Sequence, residues 1–147
     1  MKLNKINTAD LSELALVMLD SFKGSCEDAG ESIDDIIEEL YSVISGSFAP
    51  FISDASYQIK QNGEILSAIM INYYEGSPLI SEIFTKKQYR NLGMAGEIIK
   101  QSINSLLLVG HNELTLFVDP RNSLAIRLYE KSGFKFVSEK ELAKRKK

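Results

Sequence analysis

Apolar residues in the first third of the chain recur with the period of an α-helix. One stripe predicts a helix over residues 9–22 with Thr8 as its N-cap: Leu11, Leu14, Ala15, Met18 and Phe22. A second stripe predicts a helix from the N-cap candidate Ser32 to near Gly46: Ile33, Ile36, Ile37, Leu40 and Ile44. A short strand over residues 2–6 precedes both helices.

The middle of the chain has the residue pattern of β-strands. Tyr57–Lys60 alternates between apolar and polar residues, and Asn62-Gly63 is a strong hairpin signal because both positions tolerate positive φ. A long β-type run follows over Glu64–Tyr74, and after a break a further strand is predicted over Leu79–Thr85. These segments predict a three-stranded antiparallel meander.

The last third alternates between strands and helices. Helices are predicted over residues 94–109 and 122–132, and strands over Leu114–Val118, buried on both faces, and Phe134–Val137. Helical crossovers imply a parallel strand pair around the first of these helices. The predicted fold class is α/β with a mixed sheet: N-terminal helices, an antiparallel meander, then β-α-β-α-β. We expect one domain over residues 1–147, with a frayed charged tail at 139–147.

Composition excludes several classes of protein. The 147 residues include 44% hydrophobic and 25% charged residues, a balance typical of soluble globular proteins. The single cysteine, Cys26, and the single histidine, His111, exclude an intrachain disulfide and a Cys-rich or His-cluster metal site, so no metal is predicted. No apolar run reaches the roughly 20 residues of a membrane span. Because residues 1–5 also lack the apolar core of a signal peptide, a cytoplasmic location is expected.

The net charge of −3 conceals an asymmetry. Residues 1–60 carry 4 Lys or Arg and 11 Asp or Glu, so the remaining residues are net basic. Two oppositely charged walls of one cleft would produce this pattern, and so would a solvated surface with uneven charge. The acidic balance argues against a general nucleic-acid binder.

The segment after the predicted strand Leu79–Thr85 is a candidate anion site. Its sequence, Arg90-Asn91-Leu92-Gly93-Met94-Ala95-Gly96, leads into a helix, whose first N–H groups lack intrahelical partners. Gly93 permits close backbone approach, and Lys86 and Lys87 add positive charge nearby. It is neither a Walker loop nor a dinucleotide fingerprint. A plain strand-to-helix turn is the alternative.

A second motif lies in the helix predicted over residues 122–132. Asn122 and Tyr129 are seven residues apart, which places them on one helix face about 10.5 Å apart along the axis. The asparagine can bond an amide-bearing ligand, and the tyrosine carries a transferable proton. An N-cap asparagine and a half-buried packing tyrosine are the alternative.

Together the two segments resemble the GNAT superfamily of N-acetyltransferases, over roughly residues 1–138. The acetyl-CoA loop of that family has the pattern Gln/Arg-x-x-Gly-x-Gly/Ala, which corresponds here to Arg90, Gly93 and Ala95. The later family motif corresponds to Asn122, Ala125, Leu128, Tyr129, Gly133 and Phe134. The spacing and the preceding meander also match.

The resemblance implies a role for each matching position. The backbone of Ile83, Phe84 and Thr85 would bind the pantetheine arm and supply an N–H to the acetyl carbonyl. The pyrophosphate would lie on the N–H groups of Asn91, Leu92, Gly93, Met94, Ala95 and Gly96, next to Arg90. Asn122 would contact the pantetheine, and Tyr129 would act as general acid toward the leaving thiolate.

The chain departs from the family at three places. Lys87 stands where many members have proline, and Phe117 stands where some have a catalytic carboxylate. Glu82 is the candidate replacement base, although strand alternation allows it a rim position instead; a water relay or an unprotonated amine would also serve. Few residues follow Val137, so the last family strand is short, missing or supplied by a second chain, which suggests a homodimer.

The acceptor is not encoded in these motifs. Seven carboxylates and no Lys or Arg occur between Glu27 and Glu39, which would favour a cationic amine if they wall the acceptor site, or form a solvated helix face otherwise. The predicted function is acetyl transfer from acetyl-CoA to a primary amine of a small molecule or protein. A non-catalytic acyl-CoA-binding or regulatory module is the rival prediction, and an interaction protein with purely structural turns is the third.

Overall fold

The computed structural model describes residues 2–136. In chain order the elements are β1 (Lys2–Lys5), α1 (Leu11–Phe22), α2 (Ile33–Ile44), β2 (Tyr57–Gln61), β3 (Glu64–Tyr74), β4 (Ser77–Thr85), α3 (Met94–Leu108), β5 (Thr115–Leu116) and α4 (Ser123–Lys131). Short 3-10 turns lie at Thr8–Asp10, Ser53–Ala55 and Lys87–Tyr89. None of the described helices combines the length and apolarity needed to cross a membrane.

Local signals in the sequence explain where several elements begin and turn. Ser32 caps α2, since its hydroxyl accepts the Asp35 N–H at 3.1 Å while the Asp35 carboxylate accepts the Ser32 N–H at 3.0 Å. Asn62 and Gly63 both have positive φ, at 53° and 77°, and form the two-residue turn between β2 and β3. Both features agree with the sequence predictions.

The strands form one mixed sheet in the order β1-β2-β3-β4-β5. The first four pair antiparallel, and β5 pairs parallel to β4. The parallel pair across α3 confirms the predicted mixed sheet. The meander, however, has four strands instead of three, because Lys2–Lys5 pairs along β2.

Each face of this sheet carries its own apolar core. Helices α1 and α2 cover one face, where Leu14, Met18, Leu40, Met70 and Phe84 are buried together. Helix α3 covers the other face, with Ile69, Ile71, Ile98 and Ile99 buried at its centre. Because neighbouring strand residues point to opposite faces, β3 and β4 contribute side chains to both cores.

Three local predictions were wrong. Asn7, not Thr8, caps the N-terminal segment by accepting the Ala9 N–H at 3.0 Å, because a 3-10 turn precedes α1. Strand β5 spans Thr115–Leu116 alone and is half-buried, because it is an edge strand whose outer side has no partner strand within residues 2–136. Residues 134–136 are not in a strand, and Val137 and the tail at 139–147 lie outside the described residues.

Candidate active site

Strands β4 and β5 diverge soon after they pair. Their register contains two pairs, Leu79 with Thr115 and Ile80 with Leu116. Strand β4 continues to Thr85 and there pairs with β3 along its other edge. Within the described chain, the β5-facing backbone edge of β4 beyond Ser81 therefore has no strand partner, and an extended ligand can pair with it.

A cavity of about 1000 Å³ opens beside this free edge. It collects predicted site residues from three separate segments of the chain, namely Ile83, Phe84, Thr85, Arg90, Asn91, Gly93, Met94, Ala95, Gly96, Asn122 and Tyr129. We call it the large cavity. Two predicted residues are not among its lining residues: Leu92, whose side chain is 64% exposed, and Glu82.

The turn from β4 into α3 presents its backbone to the large cavity. Asn91 and Gly93 have φ values of 65° and 82°, and Gly93 is the N-cap of α3 without a side-chain cap. The first N–H groups of α3 therefore keep their donor capacity and carry the positive end of the helix dipole. A Cβ added at Gly93 or Gly96 would meet no protein atom within 4 Å. This end of the cavity suits an anion.

The basic residues preceding α3 are held against other elements. The Arg90 guanidinium donates to the Ser21 carbonyl, and the Lys87 ammonium donates to the Lys23 carbonyl. The Lys86 ammonium pairs with Glu64. Positive charge at the large cavity also comes from three residues that sequence reasoning missed: Lys100, Arg127 and Lys131. Of these, Lys100 lies one helical turn after Gly96, a spacing visible in the sequence.

Asn122 has two structural partners. Its side-chain oxygen caps α4 by accepting the Ala125 N–H at 3.1 Å, and its amide donates to the Glu27 carboxylate at 3.1 Å. The N-cap interpretation is therefore correct for the oxygen. The amide has a second N–H, which leaves a donor for a ligand in the cavity.

Tyr129 lies two turns along α4 and is half-buried. Its ring packs edge-on against Phe134, with ring centroids 6.0 Å apart. Burial, with a smaller contribution from the negative charge of Glu27, raises the pKa of Tyr129 to about 12. Its hydroxyl therefore stays protonated at neutral pH, as a proton donor requires.

The loop between α1 and α2 closes over the start of α4. In addition to the Glu27–Asn122 hydrogen bond, the Arg121 guanidinium donates to the Cys26 carbonyl at 3.0 Å. The Arg121 guanidinium also donates to the Asp119 carboxylate. These hydrogen bonds from Arg121 lower the pKa of Asp119 to about 2. Sequence reasoning missed this contact, because residues about 95 positions apart share no local signal.

Glu82 lines a second cavity of about 420 Å³, which we call the small cavity. Glu82 pairs with Met70 on the α1–α2 face of the sheet, whereas its neighbour Ile83 pairs with Ile69 on the α3 face. Burial, together with the nearby carboxylates of Glu39 and Glu27, raises the pKa of Glu82 well above its usual range. Glu82 thus lines a cavity, and its role as a base stays a prediction.

Strand β4 contributes lining residues to both cavities. Adjacent residues of this strand, Glu82 and Ile83, line the small and the large cavity respectively. Glu27 lines the large cavity and acts electrostatically on both Glu82 and Tyr129. The charge of Glu27 therefore influences both the Glu82 carboxyl, whose pKa is raised, and the protonated Tyr129 phenol. Among the described His, Cys, Asp and Glu side chains, no group of three is placed to hold a metal ion.

Known proteins share this architecture. The acetyltransferase (GNAT) family model matches residues 26–134. The ribosomal-protein-S18-alanine N-acetyltransferase of Escherichia coli superposes with a TM-score of 0.72 at 18% identity, over 93% of this chain and 79% of that one. The PaiA N-acetyltransferase of Thermoplasma acidophilum, in complex with coenzyme A, gives 0.74 at 17%, over 92% and 90%.

A third structure shows the same fold at lower identity. The aminoglycoside 6'-N-acetyltransferase of Acinetobacter haemolyticus gives a TM-score of 0.73 at 11% identity, over 95% of this chain and 94% of that one. A search of curated protein sequences finds no significant match. The family match spans most of the chain and includes the β4–α3 turn and α4. The chain therefore belongs to the GNAT family of acetyltransferases.

Proposed function

We propose that this acetyltransferase transfers the acetyl group of acetyl-CoA to a primary amine, by direct attack in a ternary complex. The observation that carries the proposal is that neighbouring residues of β4, Glu82 and Ile83, line two cavities of different character. One cavity presents backbone N–H groups, which suit a phosphate-bearing cofactor. The other presents carboxylates, which suit a cationic acceptor.

Acetyl-CoA would lie in the large cavity. Its pyrophosphate would accept hydrogen bonds from the backbone N–H groups of Asn91 to Gly96, which form the loop after β4 and the start of α3. The pantetheine arm would run along the free edge of β4 and pair with the backbone of Ile83, Phe84 and Thr85. A backbone N–H of this edge would stabilise the negative charge that develops on the acetyl oxygen. The PaiA structure, of the same fold, contains coenzyme A.

The reaction breaks one bond and forms another. The acceptor's ammonium group first loses a proton to the Glu82 carboxylate, and the resulting amine nitrogen attacks the acetyl carbonyl carbon and forms the C–N bond. The C–S bond to coenzyme A then breaks, the departing thiolate takes the proton of the Tyr129 hydroxyl, and the nitrogen gives its second proton to the Tyr129 phenolate. The products are an N-acetyl amide and the free thiol. Because a thioester is already activated, orientation supplies much of the rate enhancement.

Glu82 is the proposed base because of its position and its raised pKa. A carboxyl with an ordinary pKa is a weak base at neutral pH, and a raised pKa strengthens it. Phe117, where some family members have a carboxylate, lines the same small cavity and is 66% exposed. A water relay from Glu82 remains compatible with this arrangement.

We propose that residues 1–147 form one catalytic domain. We also propose that the short edge strand β5, whose outer edge has no partner within residues 2–136, pairs with a second copy of the chain in a homodimer. Light scattering at high protein concentration tests the dimer, and a clean monomer would contradict it.

The proposed function is tested by product analysis. Purified protein is incubated with acetyl-CoA and a panel of primary amines, while thiol release is followed optically and acetylated amines are identified by mass spectrometry. Stoichiometric thiol and N-acetyl amide support the proposal. Acetyl-CoA binding without any acetylated amine would contradict it and favour the non-catalytic module. Absence of binding by the folded protein would favour the interaction protein.

A further inference from the structure

The small cavity has aromatic walls that the fold itself leaves partly uncovered. The rings of Phe48 and Tyr74 stack with centroids 5.3 Å apart and an interplanar angle of 18°. Phe48 is 43% exposed and Phe117 is 66% exposed, although both line the cavity. Val43, Leu79 and Ile80 complete an apolar lining. Clustered exposed apolar side chains of this kind are typical of a binding surface.

The charged side chains among the described residues that line the small cavity are all acidic. Glu39 and Glu82 contribute carboxylates, and none of the described residues that line it is Lys, Arg or His. Burial and the repulsion between these carboxylates raise the pKa of Glu82, so a bound cation would relieve an unfavourable arrangement. Charge complementarity therefore points to a cationic occupant.

Polar partners other than these carboxylates are few. The polar uncharged side chains of the lining are Ser42, Ser81 and the Tyr74 hydroxyl. The Ser81 hydroxyl is already committed, since it donates to the Asn72 side chain at 2.5 Å. A ligand with many hydroxyl or amino groups would leave most of them without hydrogen-bond partners in this cavity, which costs binding free energy.

Glu82 and Tyr74 lie toward opposite ends of the small cavity. Glu82 precedes Ile83, which lines the large cavity, whereas Tyr74 pairs with Ser77 at the far end of β4. Five strand residues separate these ends, which is about 16 Å. Phe117 follows Leu116, the partner of Ile80, and so lies between them. An ammonium group at Glu82 would thus have its carbon body against Phe117, with the stacked rings farther along the cavity.

We infer that the small cavity binds an acceptor whose single primary ammonium group is carried on an apolar, aromatic-sized body. This inference rests on the proposed function and specifies its substrate class. The volume of about 420 Å³ lies in the range of small-molecule sites, roughly 300–1000 Å³. Polyamines and aminoglycosides, which match the charge but not the apolar walls, are disfavoured.

The inference is tested by titration of the protein, with and without saturating CoA, while its amide NMR signals are recorded. The three probes are 2-phenylethylamine, 2-phenylethanol and ethylamine, which carry both features, the ring alone and the cation alone. We expect 2-phenylethylamine to bind at least about tenfold more tightly than either of the others, with shifts at β4 and Phe117. Equal affinities for the three probes would overturn the inference.

Matched variants identify the binding surface. Phe117→Ala removes one aromatic wall, and we expect it to weaken 2-phenylethylamine about fivefold to tenfold. Glu39→Gln should weaken the same amine about threefold to fivefold and leave 2-phenylethanol unchanged. Tyr41→Ala and Glu38→Gln, on exposed positions of α2 that line neither cavity, are the controls. Equal effects of the variants and their controls would contradict the assignment.

Acetylation assays separate this inference from the proposed function. If spermidine or kanamycin is acetylated while 2-phenylethylamine neither binds nor reacts, the inference is wrong and the proposed function stands. If 2-phenylethylamine binds in the small cavity but no amine is acetylated, the binding site stands and the proposed function is wrong. Acetylation of 2-phenylethylamine with the highest kcat/KM of the three amines supports both.

Discussion

The two cavities beside β4 are built from different kinds of groups. The proposed phosphate-binding end of the large cavity is formed by backbone in one continuous stretch, Arg90 to Gly96. The small cavity takes its character from side chains on separate elements, among them Glu39 on α2, Phe48 after it and Phe117 after β5. A backbone site tolerates many sequences around it, whereas a side-chain site changes with each substitution. This difference suits a common cofactor on one side and a particular acceptor on the other.

The largest expected effect is at Tyr129, on the cofactor side. Tyr129→Phe removes the hydroxyl and keeps the ring that packs against Phe134. We expect kcat to fall by about 10²–10⁴-fold with CoA affinity nearly unchanged, because the lost group acts only on the leaving thiolate. Steady-state kinetics and calorimetry on the same preparation measure both. Unchanged kcat would remove Tyr129 from the mechanism.

The next largest effect is expected at Glu82, the proposed general base. Glu82→Gln should lower kcat/KM by about 10²-fold at neutral pH. In the wild type, kcat/KM should fall as the pH decreases through the raised pKa of this carboxyl, because only the ionised form accepts a proton. The variant should lack this acid limb. A pH profile shared by both proteins would show that another group is the base.

The same residue couples activity to stability. The folded-state pKa of Glu82 is raised above its unfolded value, so its stabilising contribution is present at acid pH and lost as the pH rises through that folded pKa. Glu82→Gln should therefore be more stable than the wild type at pH 7, with a smaller difference near pH 4. Urea unfolding at both pH values measures this, and a variant less stable at pH 7 would contradict the burial of an ionised carboxyl.

The smallest effect separates two roles of Asn122. Asn122→Ser keeps an N-cap oxygen but removes the amide, whereas Asn122→Ala removes both. We expect the alanine variant to lose about 1 kcal/mol of unfolding free energy and the serine variant to lose much less. Both should bind CoA about threefold to tenfold more weakly, since each lacks the amide donor. If the serine variant binds CoA as the wild type does, Asn122 has a structural role only.

The sequence predicted the parts of the molecule that depend on local patterns. The Asn62-Gly63 turn and the Ser32 cap each follow from residues that lie close together in the chain. The predictions over Leu114–Val118 and Phe134–Val137 were less accurate. A short apolar run such as Leu114–Val118 does not reveal over how many residues the neighbouring strand pairs with it. Here β4 and β5 pair at two positions and then diverge.

Most features of the small cavity could not be predicted from the sequence. Glu82 was identified as a candidate base, but its surroundings come from Glu39 and Glu27, which reach it only through the folding of α2 and its preceding loop. Phe117 was noted only as the replacement for an expected carboxylate. The acidic stretch from Glu27 to Glu39, which would favour a cationic amine if it walls the acceptor site, contributes a carboxylate to each cavity: Glu27 to the large one and Glu39 to the small one.

The turn before α3 is the proposed binding site for the cofactor's phosphates, and substitutions at Gly96 test this proposal. This residue is the third of α3, has an ordinary helical backbone, and has open space where a Cβ would lie. Glutamate there raises helix propensity and suits the helix dipole, so the protein itself is not destabilised. Its charge and bulk would, however, occupy the anion site.

The measurement is calorimetric titration of acetyl-CoA into the wild type, Gly96→Ala and Gly96→Glu, with thermal unfolding of each as the folding control. We predict that the wild type and the alanine variant bind within a few-fold of each other. The glutamate variant should lose at least about 100-fold in affinity at an unchanged or higher Tm. Binding of acetyl-CoA by folded Gly96→Glu with the affinity of the wild type would contradict the account.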